Sequence, residues 1–255
     1  MMEKSKAPHL AHAGGFIYNG RWKLASNLHR AIMPNYTPAL RALIFDMDGV
    51  IAETSQLHYS AWKRLADEYN IPFTHDTMKA VFGLTREASI RHIFASANRP
   101  LDDDALRDWM QRKGQYITEA IADLSPKDCF PGLRPLLQAA QAAQLKLAVA
   151  SSSRAARQVI ERLQLTTYFT IIGDGTCVVR SKPAPDIFLW VAGALGVSPA
   201  AAIVFEDSAA GVQGALAGGF FTVGIGQDAP TTAHLNIPDF TAITLDDLRQ
   251  HFKQR

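Results

Sequence analysis

The sequence predicts an α/β protein, a Rossmann-like parallel sheet carrying a small α-helical cap domain inserted after its first strand. Three observations lead there. From Arg41 onward, short apolar runs alternate with longer amphipathic ones, the pattern of parallel strands joined by crossover helices. Between the first two runs, residues 46–144 show several helix patterns and little strand character. The residues just after the apolar runs are acidic, hydroxylated or basic, where ligands of open parallel sheets bind.

Residues 1–40 read as a separate basic extension. Lys4, Lys6, Arg21, Lys23 and Arg30 oppose Glu3, a balance of +4 that leaves −2 for the rest of a chain whose net charge is +2. The stretch lacks the apolar core of a secretory signal; it is basic and acid-poor like a transit peptide, yet poor in Ser and Arg. Met33, just before the first apolar run, is a competing start for the compact domain.

The first strand is predicted over Ala42–Phe45, followed by helices over His58–Tyr69, Arg86–Ala97 and Asp103–Leu124. Thr54 or Ser55 is expected to cap the first helix and Asp102 the third, since short side-chain acceptors satisfy free amides there. The cap is expected over residues 54–128, and the core over 41–53 and 129–255. Pro126 and Pro131-Gly132 mark the return to the core, where an Ala-rich helix at 139–143 precedes strands over Leu145–Ala150, Phe169–Ile172, Ala201–Phe205 and Phe221–Ile225.

Composition narrows the class of function. A chain of 255 residues can bury a core without staples, and its longest apolar runs fall well short of a bilayer span, so no membrane partner is expected. A net charge of +2 gives no reason to expect nucleic acid. Cys129 and Cys177 have no partner at metal-ligand spacing and read as reduced thiols of a cytoplasmic protein. There is no long heptad pattern, in keeping with a monomer.

The chemistry concentrates at the strand ends. Asp46 and Asp48, two apart in an extended segment, face one side, and Gly49 lets the chain turn away behind them. Such a pair alone more often caps a turn. Glu206 and Asp207 after the fourth strand make it four acids, whose mutual repulsion calls for a cation, and hard oxygen ligands beside a phosphate suit Mg2+. Lys182, held in Ser181-Lys182-Pro183-Ala184-Pro185-Asp186, supplies positive charge from the other side. Ser151 ends an apolar strand ahead of a helix near Arg154, where a hydroxyl and helix-terminal amides can bind phosphoryl oxygens or simply cap the helix.

These parts in this order, D-M-D-G-V, Ser151, Lys182-Pro183 and Glu206-Asp207-Ser208 with Gly211, resemble the haloacid dehalogenase superfamily over residues 41 to 226. The resemblance implies Asp46 as a nucleophile that becomes phosphorylated and Asp48 as general acid/base. It also implies magnesium held by Asp46, the Asp48 backbone carbonyl and Asp207, with Glu206 beside them.

The stretch from Ile51 through His58 and Trp62 to Lys63, the Gly83 to Ser89 segment, Arg112-Lys113 with Tyr116, and Ser181 to Phe188 are similar to the β-phosphoglucomutase family in both domains. That similarity implies that Arg86 and Lys113 reach the active site from the cap, that His58 positions a sugar hydroxyl and Asp48, and that Thr54 lies at the hinge. Trp62, Gly83, Ser153 and Arg154 fall in stretches that match substrate-contacting ones. The implied activity interconverts β-glucose 1-phosphate and glucose 6-phosphate through a bisphosphate. Two positions depart from the pattern: Glu53 where Asp is common, and Ala155 where a polar residue, often Asn, contacts the distal phosphate. A sugar-phosphate phosphatase of the same superfamily is the second reading. A non-catalytic anion-binding protein should have lost a core acid, and none is lost.

Overall fold

A computed structural model describes residues 38–81 and 84–255. The basic extension up to residue 37, Met33 within it, and Gly83 lie outside the described residues.

Strand β1 (Ala42–Phe45) leads into four helices: α1 (Ser55–Glu68), α2 (His75–Val81), α3 (Arg86–Ser96) and α4 (Asp103–Ile121). The chain then returns through α5 (Leu133–Ala142), β2 (Lys146–Ala150), α6 (Ala156–Arg162), β3 (Ile171–Gly173) and α7 (Asp186–Leu195). It closes with β4 (Ala202–Glu206), α8 (Ala209–Ala217), β5 (Phe221–Ile225), β6 (Leu235–Ile237) and α9 (Leu245–Lys253). The strands form one parallel sheet in the order β3-β2-β1-β4-β5-β6. The predicted strands all form, with ends shifted by at most two residues, and β1 and β5 keep their predicted bounds. α2, β6 and the C-terminal α9 were not foreseen. α2 buries only Val81 and has no clear apolar stripe, while β6 is a three-residue edge partner of β5.

The sheet is covered on both faces, which is why its strands read as continuous apolar runs. Alternate residues feed two cores: Leu43, Phe45, Leu147, Val149, Ile203 and Phe205 pack on one side. Ala42, Ile44, Ala148, Ala150, Ala202 and Val204 meet Phe188 and Phe220 on the other. Phe45 and Phe205 stack with ring centroids 4.7 Å apart at the sheet centre. Fully burying one such ring contributes about 1.5–3 kcal/mol, enough to hold β1 and β4, and the acids at their ends, in register.

The caps correct one expectation. Asp102 does cap α4, accepting the Ala105 N–H at 2.8 Å. At α1, however, Glu53 performs the capping: its Oε1 accepts the Ser55 N–H at 2.8 Å, and Thr54 makes no side-chain bond to the helix. The Thr54 hydroxyl turns inward and donates to Asp48 at the sheet rim, a charge-assisted bond that aims it away from the helix amides.

Candidate active site

The turn after β1 builds the first wall of the site. Asp46 is buried at the strand end, the Met47 carbonyl accepts the N–H groups of Val50, Ile51 and Ala52, and Gly49 takes a left-handed φ of +80°. Asp48 thus points back over the rim beside Asp46. From the cap, Thr54, His58 and Trp62 stand four residues apart on one face of α1. The Thr54 hydroxyl donates to Asp48 Oδ1, and His58 Nε2 faces the same oxygen at 3.7 Å with no hydrogen-bond partner.

The Lys182–Pro183 peptide is cis, and Lys182 is buried with its ammonium donating to both Asp46 Oδ1 and Glu206 Oε1. Glu206, the last residue of β4 and fully buried, accepts the Ser208 N–H at 2.8 Å and the Ser208 hydroxyl at 3.0 Å with its other oxygen. Both Glu206 oxygens are therefore engaged. Asp207 differs: its Oδ1 is buried with no hydrogen-bond partner.

Ligand oxygens of Asp46, Glu206 and Asp207 lie within 4.8 Å of one another. Such a cluster of hard donors, with one buried carboxylate oxygen left unpaired, fits a hard cation. In the metal-free protein, burial, followed by the Glu206 and Asp46 charges, pushes Asp207 up to about 9. Burial likewise raises Asp46 to about 8, with Glu206 and Asp48 adding to the rise and Lys182 opposing it. Asp48 is also raised, chiefly by burial, against the pull of the Thr54 hydrogen bond and of Lys182 and Lys113. Burial depresses the Lys182 ammonium, but the two carboxylates outweigh it and keep the lysine charged.

The cap contributes the opposite wall of a cleft that is open in part to solvent. Arg86 opens α3 behind its N-cap Thr85, and Lys113 comes from α4. Lys113 is 1% exposed, its ammonium 4.8 Å from the Trp62 ring centroid. Burial and the Arg86 charge push it down to about 7. The same two cations, after burial, hold His58 well below its usual range, so the imidazole beside Asp48 is neutral.

After β2, Ser153 and Arg154 line the cleft, Arg154 near enough to depress the half-buried Arg86, after burial itself. Ser151 is fully buried and is not among the lining residues; its oxygen accepts the Ser153 N–H at 3.0 Å, leaving the hydroxyl proton free to donate. It is not a helix cap, because α6 starts at Ala156. The structure thus gathers Asp46, Asp48, His58, Trp62, Arg86, Lys113, Ser153, Arg154, Lys182, Glu206 and Asp207 around one space, with Thr54 behind Asp48. Sequence reasoning missed Ser152, Met78 and Val81, which also line it. Ser152 was hidden in a triple serine, and the other two sit on the unforeseen α2.

Among the described residues, no helix is long and apolar enough to cross a membrane. The sequence model of the haloacid dehalogenase-like hydrolase family matches residues 43–225. A β-phosphoglucomutase of Bacillus subtilis is 36% identical over 218 residues, covering 84% of this chain and 96% of its own length. A phosphorylated carbohydrates phosphatase of Thermotoga maritima is 32% identical over 182 residues, covering 71% and 82%. Among solved structures, the β-phosphoglucomutase of Clostridium difficile superposes with a TM-score of 0.81 at 27% identity, covering 84% of this chain and 98% of that one.

Proposed function

The chain belongs to the haloacid dehalogenase-like hydrolase family, in its β-phosphoglucomutase-like branch, and from that premise we propose that it interconverts β-glucose 1-phosphate and glucose 6-phosphate. The observation that carries this reading is a cleft cationic at both ends. Lys182 stands beside the nucleophile, and Arg86 and Lys113 come from the cap with Arg154 opposite them. A hydrolase of one phosphate needs only the first end, whereas a bisphosphate held in either orientation needs both.

In this reading Asp46 carries the phosphoryl group and donates it to the free hydroxyl of the sugar. Asp48 takes that hydroxyl's proton as the new ester bond forms. The bisphosphate then reorients, Asp46 accepts the other phosphoryl group, and Asp48 returns a proton to the departing sugar oxygen. The raised pKa of Asp48 suits a group that must both take up and return a proton. Thr54 orients Asp48, neutral His58 faces it without competing for its charge, and Lys182 offsets charge on the transferred group. Glu206 fixes the direction of the Lys182 ammonium.

Asp46, Asp207 and the Asp48 backbone carbonyl would hold Mg2+, whose chemistry here is to screen an anionic nucleophile from an anionic phosphoryl group. The unpaired Cys129 and Cys177 support work in the cytoplasm, and we take the protein to act as a monomer.

A phosphatase is the second reading, favoured by the Thermotoga maritima relative and by Ala155, which offers no polar contact next to Arg154. The test follows glucose 6-phosphate and inorganic phosphate together, with purified protein, magnesium, β-glucose 1-phosphate and trace glucose 1,6-bisphosphate. Glucose 6-phosphate without free phosphate is the expected result. Free phosphate as the main product would overturn the mutase reading.

A further inference from the structure

Glycine in a helix interior is unfavourable relative to alanine, yet α4 carries Gly114 near its middle, directly after Lys113. A Cβ at that position would meet Arg86 Nη1 at 2.9 Å and Arg86 Cζ at 3.8 Å. The same Nη1 donates to the Met110 carbonyl at 3.0 Å, the acceptor one helical turn before Gly114. The guanidinium therefore rests its Nη1 end on the backbone of α4, in the gap left by the missing side chain, while still lining the cleft.

We propose that Gly114 is a positioning residue for Arg86: its bare backbone is a seat on which the arginine docks, so that the remaining guanidinium N–H groups face the substrate's far phosphate. The inference rests on the reading of Arg86 as the anchor of that phosphate. An unseated arginine is a long, rotamer-rich side chain that must be ordered anew at each binding event, and the seat removes that entropic cost before substrate arrives. A methyl group at 114 displaces the flexible guanidinium and leaves the helix in place, because the atom it meets is the far end of a side chain.

The test is a double-mutant cycle in the full chain carrying Asp46→Asn, so that no turnover intervenes, with magnesium present and β-glucose 1,6-bisphosphate titrated calorimetrically. Gly114→Ala is expected to weaken binding about tenfold where Arg86 is present and to have no effect in the Arg86→Ala background, as a seat acting only through the arginine requires. The melting temperature should stay level or rise, since alanine favours the helix, and Gly114→Ser, carrying the same Cβ, should reproduce the loss. Tight binding by Gly114→Ala while Arg86→Ala binds weakly would overturn the seat and leave the anchor standing. Equal losses from Gly114→Ala in both backgrounds would make the effect structural and overturn it as well. No loss from Arg86→Ala, or no bisphosphate binding by the parent, would remove the anchor and the seat together.

Discussion

Replacing Gly49 by alanine tests whether the turn after β1 exists to bring Asp207 against Asp46. Two costs can be read from the geometry. Gly49 has φ of +80°, where a Cβ is disfavoured by about 1–2 kcal/mol. That Cβ would also stand 2.0 Å from Asp207 Oδ2. To reach ordinary contact the carboxylate must retreat by roughly 1–1.5 Å, several times the ~0.2 Å latitude of a metal–ligand distance. The expected outcome is a modest loss of stability, a few degrees in melting temperature. The loss of Mg2+ affinity should be far larger, about 10–100-fold, the scale seen when a metal site's support is disturbed. Magnesium titrations of activity and of melting temperature measure both. A Gly49→Ala protein with an unchanged magnesium requirement would refute the assignment of Asp207 as a ligand whose place this turn fixes.

Three further outcomes follow from the site. Asp46 and Asp207 have folded-state pKa values of about 8 and 9, above the unfolded 3.8, so between those limits the folded metal-free protein binds more protons than the unfolded chain. Its melting temperature should accordingly fall as pH rises from about 4 to about 9, and magnesium should restore most at the alkaline end; a flat profile without metal would contradict this. Thr54→Val removes the hydrogen bond that holds Asp48 down, so the acid limb of the pH–rate profile should move to higher pH and kcat should drop about tenfold, both read from steady-state rates across pH. Lys182→Met leaves buried Asp46 and Glu206 without their shared cation; activity should fall by about 10²–10³. Its melting temperature should fall more at pH 8 than at pH 5, because the carboxylates can take up protons at the lower pH.

Much of the core was legible because β1, β2, β4 and β5 are buried on both faces, and double burial writes itself as an unbroken apolar run. β6 was not, since its three residues gain their place from pairing with β5 and only Ile237 is buried. α2 escaped for a related reason: His75–Val81 owes its helix to packing beside α3, without a stripe of its own. Thr54 shows the same limit in one side chain. Its position before a helix read as a cap, but its hydroxyl is drawn into donating to the carboxylate brought above it by the turn at 46–52, and Glu53 accepts the helix amide instead.

The chemistry available was legible from residue order: Asp46, Asp48, Glu206 and Asp207 stand at strand ends, with Lys182 on the longer loop after β3, and a strand end in a parallel sheet is a fixed address whatever the details of packing. How the acids divide their work came from packing across the fold. Glu206 spends both oxygens on Lys182 and Ser208 while Asp207 keeps one free, a difference between adjacent carboxylates that no spacing rule contains. Packing also decided why a glycine sits inside α4, because the group that fills its space arrives from another helix 28 positions away in the chain. Local residue types fix what a side chain can do; which partner reaches it first depends on contacts made across the fold, and those are set by packing.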